Sequence, residues 1–246
     1  MNSQTRQYLA KHSIRALSPK AVLFDMDGVL YDSMPMHAVA WQQSMAQFGL
    51  TMTAADAYAT EGARGIDTIR TMVRTQQQRD ITLDEAQRMY DVKTKIFHSF
   101  DHPAPIIDGI PQLMELLRKQ GLIIGVVTGS GQKPLINRLI RDFGRYISED
   151  HIVTAYNVKR GKPAPDPYLA GMQKAGSLPQ ETIVVENAPL GVRAAVAADA
   201  FTIAVNTGPL DPQLLADQGC QMVFDSMTDL ATQWPDLWTE LTTAMD

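Results

Sequence analysis

Cysteine is nearly absent from this chain, with Cys220 the single thiol among 246 residues. One thiol closes no internal disulfide, so stability must come from a packed core, and such sparing use of cysteine fits a reducing compartment. Long apolar runs are missing as well. No stretch of about 18 apolar residues occurs, and residues 1–20 scatter charges without an apolar core and cleavage site. Neither a membrane span nor a signal peptide is expected, and the chain reads as cytoplasmic. Basic residues do not dominate: 22 Lys and Arg stand against 27 Asp and Glu, and a formal charge of -5 gives no electrostatic reason to bind nucleic acid or an anionic membrane. Any phosphate site must therefore be local. Histidines other than His37 have no metal-ligand spacing, and there is no internal repeat or low-complexity tract.

What is present is an ordinary apolar fraction, 45% hydrophobic with 20% charged, enough for one large domain or for a domain carrying a smaller insert. Short aliphatic runs recur at residues 21–24, 122–127, 152–153, 183–185 and 201–205. Lacking polar alternation, they predict strands buried on both faces, hence a parallel sheet covered by helices. Helical patterns lie between them, as in Leu113, Leu116 and Leu117 before Gly121, and Leu135, Leu139 and Ile140 before Gly144. The expected class is α/β, a Rossmann-like doubly wound parallel sheet.

Residues 33–104 break this rhythm and predict an all-helical cap inserted into a core made of residues 1–32 and 105–246. Trp41, Met45 and Phe48 share one helical face before Gly49, and Ile66, Ile69, Met72 and Val73 share another. Thr82 to Glu85 reads as a capping box opening a helix with Met89 and Tyr90. Both connections of such a cap fall beside the first strand's end, where a lid would hinge.

That strand end carries the most informative residues. Asp25-Met26-Asp27-Gly28-Val29 sets two carboxylates at the sheet edge where open α/β folds build their sites. Acids at i and i+2 repel unless a cation lies between them or one holds a proton, so the pair predicts a metal site or an acid and a base. Magnesium suits such oxygen ligands. Read alone, Asp-x-Asp-Gly is equally a turn. Three more segments follow in order. Val126-Val127-Thr128-Gly129-Ser130-Gly131 ends a strand in a hydroxyl and a Gly-rich turn suited to phosphate. Gly161-Lys162-Pro163-Ala164-Pro165-Asp166 places a lysine in a Pro-stiffened loop, and Val184-Val185-Glu186-Asn187 ends another strand with two oxygen-bearing side chains.

Together these four segments resemble the motifs of the haloacid dehalogenase superfamily, in particular the phosphatases similar to β-phosphoglucomutase, over residues 20–224. The resemblance implies a Mg²⁺-dependent phosphohydrolase with an aspartyl-phosphate intermediate, Asp25 being the nucleophile and Asp27 the general acid, then base. It implies that Thr128, Gly129, Ser130 and Lys162 bind the transferring phosphate. Asp25, the Asp27 carbonyl and Asn187 would hold Mg²⁺, with Glu186 acting nearby or through water. His37 resembles a hinge histidine of the family and Lys93 a lid lysine.

Two departures bear on substrate. Glu186-Asn187-Ala188 stands where most relatives carry Glu-Asp-Ser, so a metal-ligand carboxylate is replaced by an amide and one negative charge is lost. In the lid, Glu61-Gly62-Ala63-Arg64-Gly65-Ile66 puts Gly65 where β-phosphoglucomutases resemble one another in an arginine that grips a distal phosphate. Arg64 lies one place early, about 100° away on a helix. Glu61 and Arg64 are the lid's candidate substrate contacts. Bacterial pyrophosphate-hydrolysing members look similar in both runs. The expected partner is therefore a small phosphorylated molecule, inorganic pyrophosphate first, with β-phosphoglucomutase or sugar-phosphate phosphatase as the alternative. A monomer is expected.

Overall fold

The structure is a computed structural model and describes residues 1–131 and 133–244. Each aliphatic run forms a strand: β1 (Ala21–Phe24), β2 (Ile123–Val127), β3 (Ile147–Val153), β4 (Thr182–Glu186) and β5 (Phe201–Val205). A short edge strand, β6 (Met222–Phe224), completes one parallel sheet in the order β3-β2-β1-β4-β5-β6. Two features go beyond the expectation. β3 begins at Ile147, five residues before the aliphatic pair, because Ser148, Glu149 and Asp150 lie exposed on this sheet edge. The residues of β6 are only half-buried.

The helices are α1 (Ser3–Lys11), then α2 (Met34–Ala46), α3 (Ala54–Ala59), α4 (Gly65–Gln77) and α5 (Leu83–His98), then α6 (Ile110–Lys119), α7 (Lys133–Phe143), α8 (Asp166–Ala175), α9 (Pro189–Ala197), α10 (Pro212–Ala216) and α11 (Met227–Thr242). Successive residues of a strand face opposite sides, and β1 divides accordingly. Val22 and Phe24 join a cluster with Leu113 and Leu117 of α6 and Trp234 of α11, while Leu23 packs with Tyr168 and Met172 of α8 and Ala194 of α9. Both faces are thus covered, as a parallel sheet requires. Among the described residues no helix is long and apolar enough to cross a membrane.

Between β1 and α6 the chain makes helices alone, and Trp41, Met45, Ile69, Val73 and Met89 form an apolar cluster of their own. At the start of α5, Thr82 accepts from the backbone N–H of Glu85 at 3.1 Å. The reciprocal half of the expected box is absent, since the Glu85 carboxylate takes Arg79 at 2.9 Å instead. The two connections to the sheet run side by side: the Asp32 N–H donates to Pro105 O at 2.9 Å and the Ile107 N–H to Leu30 O at 3.0 Å.

The sheet order reverses at β1, whose neighbours β2 and β4 run on to opposite edges. Phe24 pairs with Val126 on one side and Val185 on the other, so the residues after all three strands emerge together at the crevice where such sheets bind ligands.

Candidate active site

β1 ends in a tight turn. Met26 O accepts from Leu30 N–H at 2.9 Å and Tyr31 N–H at 3.2 Å, and the Gly28 N–H donates to Tyr31 O at 2.8 Å. Gly28 has a positive φ of 78°, and a Cβ there would come within 2.0 Å of Asn187 Nδ2, so only glycine fits. This turn delivers Asp25 and Asp27 into the crevice, both buried.

Lys162 joins Asp25 to the end of β4. Its Nζ lies 2.5 Å from Asp25 Oδ1, 2.6 Å from Glu186 Oε1 and 3.2 Å from Val127 O. Burial pushes Asp25 up to about 7, Lys162 opposing and the charges of Glu186 and Asp27 adding to it. Burial would lower Lys162, but its two carboxylate partners outweigh that and hold the ammonium above its ordinary value. Glu186 also accepts from Tyr168 OH at 2.6 Å on Oε1, and from the N–H groups of Asn187 at 2.9 Å and Ala188 at 3.3 Å on Oε2. Gly191 of α9 makes room for this carboxylate, since a Cβ there would fall 1.8 Å from Oε1.

Asp27 faces the helical segment. Ser33 Oγ donates to Asp27 Oδ1 at 2.6 Å, and His37 Nε2 is 3.3 Å from the same oxygen. Lys93 Nζ stands 2.6 Å from His37 Nδ1. An ammonium can only donate, so Nδ1 accepts and the neutral ring carries its proton on Nε2, toward Asp27. Phe97 stacks on His37 at 4.1 Å, and the Lys93 ammonium lies 5.1 Å from the rings of both Trp41 and Phe97. Burial lowers Lys93 to about 8 against the pull of Glu61 and Asp27. Burial alone would raise Asp27, but His37, Ser33 and Lys93 outweigh it and hold the carboxyl below its ordinary value. The two aspartates are therefore driven apart, Asp25 up and Asp27 down.

The loop after β2 and the helical segment close over these groups. Thr128 Oγ1 accepts from the Ser130 N–H at 3.0 Å, shaping the turn. A Cβ on Gly129 would lie 3.1 Å from Gly62 O, and one on Gly62 would lie 2.9 Å from Lys162 Cδ, so the backbone of the helical segment rests directly on both loops. What remains is a cavity of about 40 Å³ lined by Asp27, His37, Glu61, Tyr90, Lys93 and Ser130. Glu61 keeps part of its surface exposed at the rim, yet burial of its carboxyl and the nearby charges of Asp27 and Asp25 push it up to about 8.

Asp25, Asp27, Thr128, Gly129, Ser130, Lys162, Asn187, His37 and Glu61 are thus brought together. Arg64 is not. It caps the start of α4, where Nε pairs with Asp67 at 2.7 Å and Nη1 donates to Lys159 O at 2.9 Å, so it is turned away from the cavity. Glu186, expected to act nearby or through water, sits beside the site with both oxygens used by Lys162, Tyr168 and backbone N–H groups. Consistent with that, no group of three or more His, Cys, Asp or Glu is arranged to hold an ion among the described residues. The remaining donor set is mixed, and its Asn187 Oδ1 is a buried acceptor with no hydrogen-bond partner. Such an atom is costly unless something fills its lone pairs, and a hard divalent cation fits it. Gly65 has no room for a longer side chain, since a Cβ there would fall 2.1 Å from the Tyr90 ring. Ser33 and Tyr168 escaped the sequence reading: Ser33 reaches Asp27 only because the turn after β1 folds back, and Tyr168 meets Glu186 from a different element.

The family model described as "Hydrolase: haloacid dehalogenase-like hydrolase" matches residues 19–199. The chain is 34% identical over 195 residues to hexitol phosphatase A of Escherichia coli strain K12, covering 79% of this chain and 87% of that one. It is 29% identical over 181 residues to fructose-1-phosphate phosphatase of the same strain, covering 72% and 91%. A solved structure from Bacteroides vulgatus, named as a candidate β-phosphoglucomutase, superimposes with a TM-score of 0.93 at 41% identity, covering 98% of this chain and 97% of that one.

Proposed function

Because this chain belongs to the haloacid dehalogenase-like hydrolases, we propose that it is a phosphatase of phosphorylated sugars or sugar alcohols, working through a phosphoryl group carried on Asp25. The observation that carries this reading is the buried Asp25 held 2.5 Å from Lys162, with Asp27 two residues on and turned to a relay of its own. In the first step an Asp25 oxygen bonds to phosphorus while the bond to the sugar oxygen breaks, and Asp27 gives that oxygen its proton. In the second, water attacks phosphorus, Asp27 takes its proton, and Asp25 and phosphate part. Lys162 and the Thr128 to Ser130 turn offset the phosphate's charge.

Asp25, the Asp27 carbonyl and Asn187 are the residues that would hold Mg²⁺, whose positive charge would stabilise the transferring phosphoryl group. The free site polarises the two aspartates against these roles, with Asp25 raised and Asp27 lowered. An opposite charge beside Asp25 lowers it and an anionic phosphate beside Asp27 raises it, so loading the site shifts each aspartate toward its role. We read residues 33–104 as a lid on the core of residues 1–32 and 105–246. A cavity of about 40 Å³ holds no sugar phosphate, so this lid opens for each turnover.

Names of the relatives support a sugar-phosphate substrate and move inorganic pyrophosphate from first candidate to second reading. One observation still favours it: Glu61 stands at the rim of the small cavity beside Asp27, where a carboxylate meets a compact substrate with no sugar to house. The mutase reading is disfavoured by Tyr90, which fills the space a side chain at Gly65 would need.

Phosphate release from a hexitol phosphate, fructose 1-phosphate, β-glucose 1-phosphate and pyrophosphate, with and without Mg²⁺, tests the proposal. Highest kcat/KM on a sugar or polyol phosphate is expected. Pyrophosphate leading the panel would transfer the assignment, and conversion of β-glucose 1-phosphate to glucose 6-phosphate would make the chain a mutase. Turnover by Asp25→Asn at the wild-type rate would sink every one of these readings.

A further inference from the structure

A carboxylate presents two equivalent oxygens to a cation, whereas an amide has one accepting end and one donating end. At Asn187, therefore, orientation decides whether the side chain holds a cation or turns two N–H bonds toward it. The Nδ2 end lies over Gly28, where a Cβ would come within 2.0 Å, and donates to Thr207 Oγ1 at 3.4 Å. The Oδ1 end is buried without a partner, on a residue only 6% exposed. Thr207 stands two residues beyond β5 and donates its own hydroxyl proton to Gly28 O at 2.5 Å. With that proton committed, Thr207 offers Asn187 only lone pairs. Turning the amide over would set Oδ1 against those lone pairs and aim the NH₂ group into the site.

We propose that Thr207 is a positioning residue that fixes the Asn187 amide so that Oδ1 is kept for a divalent cation. The inference rests on the reading of Asn187 as a Mg²⁺ ligand and adds what orients it. An aspartate at the same position would need no such device, which is why the threonine matters in this chain.

Calorimetric titration of the full chain with Mg²⁺ alone reads the effect without any turnover. Thr207→Val should weaken Mg²⁺ binding about 10- to 100-fold, the range found for groups that orient metal ligands, and Thr207→Ser should retain it. In an Asn187→Asp background, the same Thr207→Val change should alter Mg²⁺ affinity by less than about twofold, the scatter of independent sites. Loss of the bond to Gly28 O is common to both backgrounds, so equal weakening in the two would overturn the proposal, as would unchanged binding by Thr207→Val in the Asn187 chain. Wild-type Mg²⁺ affinity in Asn187→Ala would overturn the ligand reading itself. Thermal melts report whether each variant is folded, and Thr207→Ala replaces Thr207→Val if the valine is not.

Discussion

Lys162 Nζ lies 2.5 Å from Asp25 Oδ1 with both groups buried, and the same nitrogen lies 2.6 Å from Glu186. Removing the cation leaves two carboxylates in a dry crevice. Lys162→Met should therefore destabilise the metal-free protein by about 3–5 kcal/mol, the cost of breaking a buried pair from one side. Adding Glu186→Gln should recover part of this loss, because it removes one of the stranded charges. Urea unfolding in EDTA measures both, and an unfolding free energy unchanged by Lys162→Met would mean that the contact carries no stability.

The Tyr90 ring occupies the space beside Gly65, with 2.1 Å left for a Cβ. Gly65→Ala should cost about 1–3 kcal/mol by overpacking. The cost should shrink when Tyr90→Ala is made in the same chain, since the two residues touch and their effects couple. Gly65→Arg, the substitution that would restore a mutase-like arginine, should distort the lid and yield no glucose 6-phosphate from β-glucose 1-phosphate. Appearance of that product would show that the lid can re-seat Tyr90.

Most of the sheet was legible because β1, β2, β4 and β5 are short aliphatic runs with no polar alternation. β6 and the start of β3 were not, being edge segments whose half-exposed residues dilute the signal. The same divide runs through the site. Asp25, Asp27, Thr128, Lys162 and Asn187 follow strands or lie in short loops, so order along the chain fixes where they meet. Arg64 misled because the direction of a side chain at a helix start is set by its neighbours, here Asp67 and Lys159 O. The partners of Glu186 were not legible, because Lys162, Tyr168 and two N–H groups reach its carboxylate from other parts of the chain or from the turn after β4. Thr207 was invisible altogether, lying 20 positions from Asn187.

Glu61 should make stability fall with rising pH. Its folded carboxyl is pushed up to about 8 from an ordinary 4.5, chiefly by burial. Below 4.5 both folded and unfolded chains hold the proton. Between 4.5 and 8 the unfolded chain releases it while the folded chain keeps it, so the stabilisation present at low pH is lost progressively and is gone above 8. Glu61→Gln removes this dependence. Its advantage over the wild type in EDTA should therefore be greater at pH 8 than at pH 5, and urea midpoints at the two values test it. An advantage equal at both would remove Glu61 from the buried charges.

In the proposed mechanism Asp27 gives a proton to the leaving oxygen, and Lys93 contacts it through His37, at 2.6 Å on one ring nitrogen and 3.3 Å on the other. Asp27→Asn should cut the first step for an alkyl phosphate by about 10²- to 10⁴-fold, the usual worth of a general acid. An aryl phosphate such as p-nitrophenyl phosphate, whose leaving group departs without a proton, should lose far less. Lys93→Met should reproduce this pattern at smaller size. Without the ammonium on Nδ1, the His37 proton is no longer confined to Nε2, and Asp27 loses one of its two side-chain donors while keeping Ser33. Burst amplitudes in the first turnover separate this step from hydrolysis of the aspartyl phosphate. Equal losses on both substrates in Asp27→Asn would contradict the acid role. A selective loss in Asp27→Asn with none in Lys93→Met would confine the proton chemistry to Asp27 and leave the Lys93–His37 contact a matter of lid packing.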